Sequence, residues 1–274
     1  MSRIQRLARR AALLAMLLGC FSLWSEAATP DGYDFPAEQE ILRLLNQERH
    51  ARGLSTLVAD ARLQRAARKH SALMASLSQV EHQMDGEARL SVRLDEQAVR
   101  FDMSGENVAR TSTPERAHRA LMNSPGHRAN ILDPAFNAVG IGVVKMPDGI
   151  YVTQDFARRL PDASVEEAEE RIATALNRVR RRAGLAAWPR VVAPELRQRA
   201  CQMAERDKLT PSLGLISPKV SNSVAFTLID LNEMPSSLDR LKGVAGSGFS
   251  VGACYRTSTS YETPVFWAVV ITYF

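Results

Sequence analysis

Two histidines and a glutamate sit in short stretches that a solvated loop would not need. "VEHQMDGEARLSVRL" places His82 just ahead of the turn signal Asp85-Gly86. "SGENVAR" sets Glu106 beside Asn107 and then apolar Val108. "MNSPGHRANIL" puts His127 directly behind Ser124-Pro125-Gly126, a helix-stopping triplet, and then returns to apolar residues. Two imidazoles and a carboxylate could hold a divalent ion such as zinc, with His82 and His127 as ligands and Glu106 as general base or third ligand. That would be a metal-dependent hydrolase. The same groups could instead form a polar network in which Glu106 steadies the rings and caps backbone amides without turnover. No H-E-x-x-H spacing occurs, so any metal geometry must come from the fold.

The other reactive side chains weigh less. Ser124 precedes His127 by three residues, but a Ser/His pair is defined by geometry and the intervening Pro-Gly leaves that open. His70 falls on an apolar helical stripe and reads as a satisfied core residue, while His50 and His118, among Arg and Glu, read as surface. Asn107 either lines a cleft or bonds a turn.

Helices and a hairpin must position these groups. Ile41, Leu44, Leu45 and Glu48 have helical spacing, with Gly53 at the C-cap. Asp60 caps a second helix with the stripe Leu63, Ala67, His70, Met74 and Leu77. Thr113 and Pro114 start a third, which Ser124-Pro125-Gly126 ends. Val139, Ile141 and Val143 alternate, Pro147-Asp148-Gly149 turns, and Ile150, Val152, Gln154 and Phe156 alternate again. Helices with an antiparallel hairpin make an α+β layered fold.

The chain repeats itself. Asn46, Arg49, Gly53 and Leu54 match Asn177, Arg180, Gly184 and Leu185, and Leu63 and Ala67 match Leu196 and Ala200. Ser164 and Glu167 have capping-box spacing ahead of the stripe Ala168, Ile172, Leu176, Val179 and Ala183. All five histidines lie in the first copy, so ring chemistry belongs there.

The N-terminus reads as a secretory signal peptide over residues 1–27: four arginines, the apolar run "AALLAMLLGCFSLW", then small residues. Alternatively "LLGC" is a lipoprotein processing site, with Cys20 lipidated and the protein held peripherally at a membrane. The protein is expected to be secreted or periplasmic, or anchored through Cys20. The leader carries four arginines against one acid, so the formal net charge of +5 falls to +2 without it. Export and that small charge argue against nucleic acid as a partner. Cys201 and Cys254 remain, able to form a disulfide if their Cα atoms come close.

"LNQERHARGLSTLVADARLQRAARKHSALM", His82, "GEN", "NSPGHRANILDPAFNAVGIGVV" and "YVTQDF" occur in order and resemble the bacterial branch of the CAP family (cysteine-rich secretory, antigen 5 and pathogenesis-related; SCP-like) over roughly residues 38–156. The resemblance implies an α-β-α sandwich with a central cleft holding His82, Glu106 and His127, with Asn107 beside them. It places a CAP domain at 38–158 and a degenerate, site-less copy at 164–274, giving two tandem copies. It suggests a binding or interaction module of the cell envelope or exterior, for a lipid, wall component or protein. A structural protein with a relic cleft is a further alternative. Many family members carry a second cleft glutamate in the helix before the last histidine; here only Glu115 stands in that helix.

Overall fold

A computed structural model describes residues 32–210 and 219–274. The expected leader and Cys20 lie outside the described residues. In the first half, helix α1 (Phe35–His50) is followed by strand β1 (Val58–Ala59), helix α2 (Ala61–Leu77) and a short helix α3 (Leu90–Asp95). Strand β2 (Phe101–Thr111), helices α4 (Pro114–Asn123) and α5 (Pro125–Leu132), and strands β3 (Ala138–Met146) and β4 (Gly149–Arg159) complete it. The four strands form one sheet in the order β1-β3-β4-β2, so β2 is an edge strand.

Local chemistry explains the helix ends. Asp60 accepts hydrogen bonds from the amides of Arg62 and Leu63 at the start of α2, and Thr113 accepts from Arg116 at the start of α4. Gly53 takes a positive φ of 71° just past α1, where a Cβ would be strained. The β3–β4 hairpin needs Gly149 at φ 137°.

Layering follows from side-chain alternation. Val139, Ile141, Val143, Val152 and Phe156 point to one face, packing on Ile41, Leu45, Leu121 and Ile131 of α1, α4 and α5. Ala138, Ala157 and Phe101 pack on the other with Leu63, Ala66 and Leu94 of α2 and α3. The result is an α-β-α sandwich. Gly140 and Gly142 let α2 lie directly on β3: a Cβ on Gly140 would fall 2.1 Å from the Leu63 carbonyl carbon.

The second half contains α6 (Val165–Arg182), α7 (Glu195–Glu205), β5 (Val220–Leu228), a 3-10 helix (Ser236–Leu241), β6 (Gly248–Ser258) and β7 (Thr263–Tyr273). Its strands form a separate antiparallel sheet in the order β5-β7-β6. Ser164 caps α6 through the Glu167 amide. Ala168, Ile172 and Leu176 of the expected stripe are buried, whereas Ala183 is exposed past the helix end. Cys201 of α7 and Cys254 of β6 form a disulfide, their Cα atoms 5.1 Å apart.

Three polar clusters occur in both halves. Asn46 exchanges hydrogen bonds with the Leu57 backbone, and Asn177 does the same with Trp188. Arg49 donates to the carbonyls of Ser55, Ile131 and Asp133, and Arg180 to those of Ala186 and Lys242. Buried Glu38 pairs with Arg68 and caps the Val143 amide, and buried Glu169 pairs with Arg197 and caps Ala253.

Candidate functional site

The site forms at the open edge of the first sheet, where β2 has a partner strand on one side only. Successive residues of a strand face opposite layers. Glu106 lies opposite Asp155 and therefore faces α2 and α3, while Asn107, opposite Gln154, faces α5. His82 arrives from the loop after α2. His127 arrives as the third residue of α5, not from a loop: Pro125 ends α4 and, as a first-turn proline, opens the next helix. The two rings lie with centroids 6.0 Å apart and planes inclined at 50°.

Glu106 is held on every side. One carboxylate oxygen accepts from His82 Nδ1 at 3.0 Å, and the other from Arg93 Nη2 at 2.7 Å. His70 Nε2 lies 3.8 Å from that second oxygen. The Glu106 backbone carbonyl accepts from Asn130, whose amide also donates to Asn107 Oδ1. Asn107, fully buried, donates to the His127 carbonyl and to Gln154, so it fastens the start of α5 rather than presenting its amide outward.

Electrostatics follow from these contacts. Burial opposes ionisation of Glu106, but the His82 hydrogen bond and the Arg93 charge outweigh it and bring the carboxyl below its ordinary value. The same hydrogen bond raises His82, against partial burial. His127 is lowered, by burial first and the neighbouring His82 second. The His82 side chain remains 57% exposed and His127 is half-buried, while the Glu106 side chain is 4% exposed, so the acid lies beneath the rings.

Sequence reasoning missed three members of this cluster. Glu87 accepts from His70 Nδ1 at 2.8 Å and lies 3.7 Å from Arg93. Arg93 also donates to the His82 carbonyl at 3.2 Å. Asp155 is fully buried, and among the described residues no N–H or O–H donor reaches either oxygen. Burial, and then the negative charge of Glu106, push it well above the usual carboxylate range.

His70 is buried as expected, its second nitrogen bonded to the Glu81 carbonyl, and His50 is exposed. His118 is not on the surface: it is 5% exposed between α4 and α1, with Nε2 3.8 Å from Glu48. An amphipathic helix hides a ring on its inner face even when its sequence neighbours are charged. Glu115 stays exposed at the start of α4, bonded to Thr113, outside the cluster. Among the described residues no hydrogen bond joins Ser124 to His127, and no three His, Cys, Asp or Glu side chains are disposed to hold a metal ion.

Residues 42–156 match the CAP family, described as the cysteine-rich secretory protein family. This part of the chain is a CAP domain. The uncharacterized protein YkwD of Bacillus subtilis (strain 168) is 35% identical over 120 residues, covering 43% of this chain and 46% of YkwD. The uncharacterized membrane protein YlbC of the same organism is 33% identical over 124 residues, or 45% of this chain and 35% of YlbC. Among solved structures, an extracellular protein containing a SCP domain from Bacillus anthracis str. Ames is 33% identical, with a TM-score of 0.42 over 45% of this chain and 40% of that one. The chain spans less than half the length of each of these relatives. Among the described residues, no helix is long and apolar enough to cross a membrane.

Proposed function

We propose that this is an exported CAP-domain protein that acts as a binding module of the cell envelope or exterior, through the pair His82 and His127. The observation that carries this reading is the occupation of Glu106: both of its oxygens are engaged, by His82 and by Arg93, beneath the rings. A carboxylate so held is an orienter. It fixes His82 with Nδ1 toward the acid and leaves Nε2 for a ligand, as outer carboxylates do for metal-binding histidines. It is poorly placed as a general base, which needs a free oxygen within reach of the proton it removes. A hydrolase using Glu106 as base is therefore the weaker reading.

The donor set fits a weakly held divalent ion such as zinc better than a resident structural one, because two imidazoles leave most of the coordination to water or ligand. His82 and His127 would hold it, and the ion would supply positive charge for an anionic or carbonyl-bearing ligand. Export rests on the leader-like residues 1–27 and on the exposed site. A lipid or wall component of the envelope is the ligand class the family resemblance suggests.

In this reading residues 164–274 are a degenerate second copy. The shared Asn, Arg and Glu clusters and the matching order of three strands support it. The Glu38–Arg68 and Glu169–Arg197 pairs, with the amides of Val143 and Ala253, set Gly252 where Gly142 lies, one helical turn from the sequence match of Leu63 with Leu196. In that register Ser223 opposite Ile271 stands where Glu106 faces Asp155. A carboxyl pair replaced by a hydroxyl and an alkyl chain has no ring-orienting group. Substituting His82 or His127 by alanine is expected to abolish ligand capture while leaving the fold intact, checked by zinc titration alongside circular dichroism. Capture unchanged in both variants would overturn the reading.

A further inference from the structure

We propose that the second half positions the cleft: by gripping the segment 93–101, it holds Arg93 against Glu106. This deepens the binding reading above, which supplies the site that is being positioned.

Helix α3 has six residues and no side-chain hydrogen bond at its N-cap, Arg89. So short a helix does not persist on its own and takes its position from packing. On one side Leu94 packs with Leu63, Val99 and Phe101 of the first half. On the other, α3 touches β6 and β7 of the second half.

Two hydroxyl donors of the second half and Arg100 of the segment itself tie the two together. The Thr257 hydroxyl donates to the Asp95 carboxylate at the end of α3. The Thr263 hydroxyl donates to the Phe101 carbonyl at 2.7 Å, a buried contact. Between them Arg100, 6% exposed, lays its guanidinium 4.9 Å from the Phe266 ring and 5.5 Å from that of Tyr255. It also donates to the Ile229 carbonyl at 3.2 Å and to that of Pro161 in the connecting segment. Burial of Tyr255 in this junction raises its hydroxyl to about 12.

Arg93 lies at the head of the gripped segment. It reaches Glu106 and the His82 carbonyl through a single nitrogen, while its Nε and Nη1 have no acceptor. Among the described residues the guanidinium makes no other hydrogen bond, only a 3.7 Å approach to Glu87, so a shift of α3 passes to Glu106 and from there to His82. Arg93 is thus a positioning residue whose own position is set by a half of the chain that has no histidine.

The test uses the full chain and needs no ligand. Thr257→Val and Thr263→Val remove one donor each while keeping side-chain shape. Ser250→Ala and Ser247→Ala are the controls: they remove donors to the Val191 and Phe274 carbonyls, within the second half and at the opposite end of β6 from Thr257. Amide hydrogen exchange over residues 90–95 and the ring NMR signals of His82 are recorded for each. We expect exchange about tenfold faster and displaced His82 signals in the first pair, as loss of about one hydrogen bond implies. The controls should leave both unchanged even where they lower Tm equally. Unaltered α3 exchange and His82 signals in folded Thr257→Val would overturn the proposal, as would equal changes in the controls. Neither readout depends on what the cleft binds, so a failed binding reading remains distinguishable.

Discussion

Glu106 and Asp155 are neighbouring carboxyl groups in a buried setting, and only one of them is given partners. Arg93 is 8% and Glu106 4% exposed at the side chain, so removing the cation strands a buried anion. Arg93→Gln should cost on the order of 3–5 kcal/mol in denaturant unfolding. Asp155→Asn tests the other carboxyl. The fold raises the Asp155 carboxyl well above its ordinary value of 3.8, at which the unfolded chain releases the proton. Stability from this residue is therefore full below that value and is lost as pH rises toward the raised folded value, at about 1.4 kcal/mol per pH unit. The Tm of Asp155→Asn relative to the parent should accordingly rise as pH is raised from 4; a constant difference would show that Asp155 ionises normally in the fold. His82, Glu106 and His127 could be singled out from their odd settings in sequence. Arg93 and Asp155 could not, because an arginine among charged residues and an acid in a strand gain their meaning only from burial.

At the scale of elements, capping chemistry and alternation made α1, α2, α4, α6 and the β3–β4 hairpin legible. Strand β2 was not, because Glu106 and Asn107 face opposite layers and are both buried, which erases the polar-apolar alternation a strand would show. Helix α3 was too short for a period, and Pro125 hid a helix start behind a helix stop. The close approach of α2 to β3 has a direct test. Gly140→Ala would press a Cβ into the Leu63 backbone and should cost about 1–3 kcal/mol or more, read from urea unfolding. The α1–α4 contact has a pH signature. Burial lowers His118 below its ordinary value of 6.5. Below pH 6.5 the unfolded chain takes up a proton that the folded chain refuses, so stability falls with pH until the lowered value is reached. His118→Gln should flatten that acid-side decline in Tm.

For the molecule as a whole, residues 34–274 pack as one unit, although the sequence reads as two copies. A repeat can be read in the Asn, Arg and Gly positions of the sequence, but the contacts between the second half and α3 cannot, because hydroxyl donors such as Thr257 and Thr263 carry no pattern. The Cys201–Cys254 disulfide spans 53 residues, and reducing it should lower stability by up to about 4 kcal/mol, seen as a drop in Tm with dithiothreitol. The central claim is that His82 and His127 present a ligand site oriented by Glu106. Its most direct test is calorimetric titration of zinc into the parent protein and the His82→Ala, His127→Ala and Glu106→Gln variants. The account predicts one-to-one binding that is lost with either histidine and weakened about 10- to 100-fold in Glu106→Gln. Binding that is absent in the parent at millimolar zinc, or that survives loss of either ring, would contradict it.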